Sequence, residues 1–132
     1  MTDDEIIAKD YLPDYDLPLW RAVELAAWRY SCLHEIPLKV IEPMKSTIKD
    51  HFGYARIQLG VVCIRLRRKN RRGNWTYSET GKELVDTLAH ELAHLLAPNE
   101  EGHGARWKVE FGDLKESMLD DGLDAELDRL RA

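Results

Sequence analysis

The pentapeptide His90-Glu91-Leu92-Ala93-His94 constrains this chain more than any other stretch. Residues i and i+4 of an α-helix lie about 40° apart around the axis and one turn apart along it. An H-E-x-x-H sequence on a helix therefore aims two imidazoles the same way, and both can reach one ion at about 2.0–2.1 Å. Glu91 lies beside them without being needed as a ligand, so it is placed to take a proton from a water that the ion activates. The flanks agree with a helix. Leu84, Val85, Leu88, Leu92, Leu95 and Leu96 recur at helical spacing as one apolar arc, and the two histidines and Glu91 fall outside it. One face can pack into a core while the other looks onto a cleft. Ser78-Glu79-Thr80 can supply the N-cap, and Pro98 closes the pattern because the residue before a proline avoids helical geometry.

A catalytic zinc takes three protein ligands and keeps one position open. His103 is the expected third, nine residues after His94 and between Gly102 and Gly104, which let the backbone turn back sharply. Glu100, Glu101, Glu110 and Asp113 are rivals for that place, since carboxylates also complete such sites. A structural zinc would use four ligands, often cysteines. This chain has only Cys32 and Cys63, which sit in apolar patterns and read as buried thiols. His34 and His51 have no partner at ligand spacing and read as ordinary surface or capping residues.

Residues 90–108, HELAHLLAPNEEGHGARWK, resemble the core of the SprT-like zinc metallopeptidases, the group of the SprT and Spartan-type proteases. The pattern there is an HExxH helix, a variable loop, then His-Gly followed by an aromatic residue on the next helix. Here those positions are His90, Glu91, His94, His103, Gly104 and Trp107. Upstream, YARIQLGVVCIRL ahead of ELVDTLAHELAH is similar to the small sheet that precedes the active-site helix. The resemblance spans about residues 20–115. It implies an α+β, zincin-like core of the minigluzincin type, with a sheet of about three strands and three to four helices. It also implies Zn²⁺ on His90, His94 and His103, with Glu91 as the base of an endopeptidase. The chain departs from the pattern in one respect. Many members carry a C-terminal zinc ribbon with four cysteines, and no cysteine follows Trp107 here. The expectation is a minimal protease core without the DNA-binding role of that module.

The rest of the chain is read in order. Residues 1–18 form an extended lead-in and residues 19–132 a single domain, which 132 residues suffice to fill. The acidic start lacks a long apolar run, so it is no signal peptide, and no stretch approaches 18 apolar residues. With 44% hydrophobic and 33% charged residues, this points to a globular, cytoplasmic protein with no membrane partner. Residues 19–33 repeat apolar side chains at i, i+3, i+4 and read as a helix, with Trp20 and Trp28 as a core strip. Residues 38–42 alternate as a strand that Pro43 ends. Residues 53–58 and 61–67 are further strands, or one bent strand, with Gly60 as turn or bulge. Residues 105–118 and 119–132 read as two more helices. An exposed strand edge near the HExxH helix can pair with an extended peptide, but periodicity does not say which strand is the edge.

Residues 65–72, RLRRKNRR, carry six basic side chains in eight positions. Arg65, Arg67, Arg68, Lys69, Arg71 and Arg72, with Trp75 close behind, suit single-stranded DNA: cations meet phosphates and a ring stacks on bases. The plainer expectation is a solvated hairpin tip turning at Gly73-Asn74, or arginines paired to acidic residues elsewhere. The net charge of −5 gives the whole molecule no general attraction for nucleic acid.

The reading is a zinc-dependent endopeptidase acting on proteins or peptides, with DNA as an associated partner. Two alternatives stand beside it: a zinc hydrolase of small or nucleotide substrates, and a non-catalytic zinc module that binds nucleic acid or protein. Tyr54 and Arg106 are candidate oxyanion donors.

Overall fold

Pro18 opens the first helix, where a missing N–H costs nothing because the first turn has no partner for it. The computed structural model describes residues 14–44, 51–69, 71–99 and 103–131. Its elements are α1 (Pro18–Leu33), β1 (Val40–Pro43), β2 (Gly53–Arg56), a 3₁₀ turn (Ile57–Leu59), β3 (Val61–Ile64), β4 (Arg67–Lys69), β5 (Trp75–Tyr77), α2 (Gly81–Leu96), α3 (Ala105–Asp120) and α4 (Leu123–Leu130). The architecture is α+β. Residues 1–13 of the lead-in expected over 1–18 lie outside the described residues, as do Asn70, Glu100, Glu101 and Gly102.

Helix α1 buries Leu19, Trp20, Val23, Ala26, Ala27 and Tyr30 on one stripe. Trp20 is in the core at 1% exposure, whereas Trp28 lies outside the buried stripe at 39% exposure. The expected tryptophan strip is therefore split between core and surface.

The three-stranded sheet has the order β1-β3-β2, with β1 parallel and β2 antiparallel to β3. Ile41, Val62 and Ala55 are register partners and belong to the core side. Glu42, Cys63 and Tyr54 form the adjacent row, and successive strand residues point to opposite faces. Pro43 is a strand residue, opposite Ile64, and not the residue after the strand; the next N–H, on Met44, donates to the Ile64 carbonyl. Gly60 turns the chain between β2 and β3 at φ 65, where a β-carbon would lie 2.6 Å from the Pro37 carbonyl oxygen. Residues 53–64 are thus two strands, not one bent strand.

Residues 61–67 do not continue as one strand either. After Ile64 the chain leaves the first sheet and builds a separate hairpin, with Arg67, Arg68 and Lys69 opposite Tyr77, Thr76 and Trp75. Gly73 lies in its connection at φ 81.

Helix α2 starts with a reciprocal capping box: the Thr80 hydroxyl accepts from the Glu83 N–H, and the Glu83 carboxylate accepts from the Thr80 N–H. Its N-terminus also meets α4, where the Asp128 carboxylate accepts from the Gly81 N–H at 2.7 Å. The final helical stretch breaks later than expected. α3 runs to Asp120, Gly122 reverses the chain at φ 76, and Leu119 belongs to α3. Leu84, Leu88 and Leu92 of α2 share one core with Leu114 and Met118 of α3 and Leu123 and Leu127 of α4. Both cysteines are free; Cys63 is buried, but Cys32 is exposed on α1 because its position falls outside the buried stripe. Among the described residues no helix is long and apolar enough to cross a membrane.

Candidate metal centre

The apolar arc of α2 faces the core, which leaves His90 and His94 on the open side, half-buried. Past the end of α2 the backbone reverses at His103, which stands at φ 67 in the left-handed region. A non-glycine residue there is strained, so the surrounding structure must hold it. The result is convergence. His90, His94 and His103 each offer one ligand atom, and these atoms all lie within 4.8 Å of one another. Ring centroids are 5.0 Å apart for His90–His94, 4.7 Å for His90–His103 and 5.0 Å for His94–His103. The rival carboxylates Glu110 and Asp113 do not join this group, and neither do His34 or His51.

Trp107 on α3 holds the three rings in place. Its indole N–H donates to the His90 carbonyl at 3.3 Å. Its ring lies 4.8 Å from His90, 5.5 Å from His94 and 4.2 Å from His103, and stacks on Phe111 behind it at 5.0 Å. Burial against this apolar backing disfavours imidazolium at His90 and His94. Burial, then the neighbouring histidines, pushes the His94 pKa down to about 4. Burial, then His103, also lowers that of His90. Neutral imidazole is the form that binds a metal, so the donor set fits an ion.

Glu91 is 6% exposed. Burial pushes its carboxyl up to about 7. One carboxylate oxygen lies 3.7 Å from His90 Nε2. Strand β2 closes the cleft over it. Gly53 faces α2 so closely that a β-carbon would lie 2.8 Å from Thr87 Cγ2, 3.1 Å from the Cys63 carbonyl oxygen and 3.2 Å from Glu91 Cγ. Phe52, Gly53, Asp86, Thr87, His90 and Glu91 line a cleft of about 160 Å³.

Tyr54 is not placed as an oxyanion donor. It follows Gly53, so it points to the other face of the sheet, where its hydroxyl interacts with Cys63 and its pKa is pushed up to about 12, chiefly by burial. Arg106 is exposed on the first turn of α3.

The basic run divides. Arg65 is buried at 4% exposure, donating to the His51 carbonyl and to Met44 Sδ. Arg67 pairs with Asp14 at 2.9 Å and lies over the Trp75 ring at 5.4 Å. Arg68, Arg71 and Arg72 are exposed on the hairpin, and Trp75 is half-buried. The side-chain placement of Lys69 lies outside the described residues.

Sequence reasoning treated Glu79 only as part of an N-cap and gave no role to Thr87 or Phe52. The available signal was spacing, since Thr87 stands four residues before Glu91 and so on its side of α2.

Comparison of the chain with protein families, curated proteins and solved structures gave no match. Fold and site together define an α+β domain whose three histidines could hold a metal ion.

Proposed function

We propose that the protein is a zinc-dependent endopeptidase with a zincin-like core of the SprT-like type. The observation that carries this reading is the buried Glu91 carboxylate beside three converging imidazoles. Three nitrogen donors suit zinc, with a coordination position left for substrate or water. Zinc, when bound, would supply Lewis acidity, lowering the pKa of water towards about 7 and polarising a carbonyl.

The chain's own residues supply the rest. Glu91 takes a proton from the attacking water and returns it to the leaving amine nitrogen. A carboxyl held near neutrality by burial suits both halves of that transfer. Trp107 fixes the histidine rings, and Gly53 lets β2 approach Glu91 without a side chain in between. β2 is an edge strand of its sheet, packed on α2. An extended peptide added along that edge would run past Glu91, held by main-chain hydrogen bonds. An intracellular setting belongs to the same reading, in keeping with two free thiols.

Glu91→Gln should keep the metal and the fold but lower protein degradation by about 10²–10⁴-fold. Metal analysis and a degradation assay on the zinc-loaded chain, run beside a nucleotide panel, check this. Turnover unchanged in Glu91→Gln, or turnover of nucleotides alone, would sink the proposal.

A further inference from the structure

Beside the cleft at Glu91 lies a larger groove that the proton transfer does not use. It encloses about 460 Å³ and is lined by Phe52, Asp86 and Thr87, which it shares with the cleft, and by Glu79, Lys82 and Lys115. That volume falls within the range of about 300–1,000 Å³ common for ligand sites. The shared residues make the two openings neighbours.

Most charges around the groove are already matched. Lys115 Nζ pairs with Asp86 at 2.8 Å. Glu83, also on the wall, is engaged in the capping box with Thr80. Lys82 is exposed on the first turn of α2. Glu79 is different, because it is 6% exposed and its hydrogen-bond donor is a neutral hydroxyl, Thr87 Oγ1, at 2.8 and 3.0 Å from its two oxygens. One hydroxyl has one proton to give, whereas a carboxylate has about four acceptor sites. A buried anion with so little donor support is unfavourable until a cation reaches it. Burial accordingly holds the Glu79 pKa up at about 7.

We infer that this groove is a substrate subsite for the cationic side chain of a lysine or arginine near the scissile bond, with Glu79 as its counter-ion. Phe52, 44% exposed, supplies an apolar wall for the methylene stem. An acidic side chain would meet Glu79, Glu83 and Asp86, and an apolar one would bury Glu79 further without a donor. The position along the substrate follows from geometry. Thr87 precedes Glu91 by one helical turn, about 6 Å along α2. A peptide residue spans about 3.3 Å. The subsite therefore receives a side chain one or two residues from the bond that is cut. The inference rests on the endopeptidase reading for the identity of the ligand as part of a peptide.

The test uses the full chain and two capped amino acids, acetyl-lysine methylamide and acetyl-norleucine methylamide, which differ in the terminal ammonium. Binding is followed by NMR shifts of the Phe52, Glu79 and Thr87 amides. The lysine compound should bind roughly tenfold or more tightly, as expected of a charge-assisted hydrogen bond, and Glu79→Gln should abolish the preference. Equal behaviour of the two compounds with the natural protein overturns the subsite, and so does a preference that survives Glu79→Gln. The comparison within the natural protein needs no variant to fold. It also separates the two proposals. A Glu79-dependent preference without any peptide cleavage removes the peptidase reading, and with it the place beside a scissile bond, but keeps Glu79 as the counter-ion of a bound cationic side chain. Peptide cleavage with equal kcat/KM for lysine and norleucine peptides, together with equal binding of the two amides, removes the subsite alone.

Discussion

His103 holds a backbone conformation that costs on the order of 1–3 kcal/mol for a residue with a β-carbon, and its ring packs on Trp107 at 4.2 Å. His103→Gly removes the strain and the ring contact together, so the two effects offset. Stability of the metal-free protein should change by less than about 1 kcal/mol, while metal occupancy measured by elemental analysis collapses. Full occupancy in that variant would remove His103 as a ligand. Glu79 makes a second prediction at this scale. Its folded pKa, about 7, lies above the ordinary 4.5. Between those values the folded state binds more protons than the unfolded one, so stability falls as pH rises. The favourable contribution is complete below about 4.5 and is lost through about 7. Glu79→Gln removes this dependence. Denaturant melts at pH 4.5 and pH 8 should show the variant gaining on the natural protein by up to roughly 3 kcal/mol. A constant difference at both values would contradict it.

At the scale of elements, α2 is held chiefly by three neighbours. α3 and α4 pack on its core face, β2 lies across its open side, and its first turn abuts the backbone of α4. A β-carbon on Gly81 would lie 2.0 Å from the Asp124 carbonyl oxygen and 2.9 Å from the Asp128 N. Both are backbone atoms, so neither can rotate away. Gly81→Ala should therefore cost at least the 1–3 kcal/mol typical of overpacking, about that much or more, and should detach α4 before the rest melts. Hydrogen exchange of the α4 amides would show it, and undisturbed protection there would contradict the packing. The amphipathic pattern of α2 was legible in the sequence because the 3.6-residue period records burial directly. The close approaches at Gly53 and Gly81 were not, since a glycine is the same letter whether it faces open solvent or another backbone.

At the scale of the whole molecule, the basic run shows how tertiary structure divides a sequence feature. Arg65 and Arg67 turn inward, the second to a carboxylate 53 residues earlier, while Arg68, Arg71 and Arg72 stay exposed on an otherwise acidic protein. If single-stranded DNA is bound, those three are the arginines of the run placed to meet its phosphates. Replacing Arg68, Arg71 and Arg72 together with glutamine should abolish binding of a labelled oligonucleotide at low salt and leave stability within about 0.5 kcal/mol. Arg67→Gln should instead lower stability by about 1–3 kcal/mol, because it strips a buried carboxylate of its partner. Fluorescence anisotropy and chemical melts separate the two effects. Binding that survives the triple replacement would leave the hairpin as a solvated tip.

The sequence by itself determined the local order: two amphipathic helices, a histidine pair one turn apart, a carboxylate beside it and a capped helix start. These follow from spacing along one helix, which no tertiary contact alters. Only the tertiary structure decided what lies across space from that helix. It brought His103 back to the pair, laid Trp107 behind the three rings, split one apparent strand between two sheets, and buried Glu79 against the Thr87 hydroxyl. Each of those depends on loop reversal and packing between elements distant in the chain, and such contacts leave no period in the sequence.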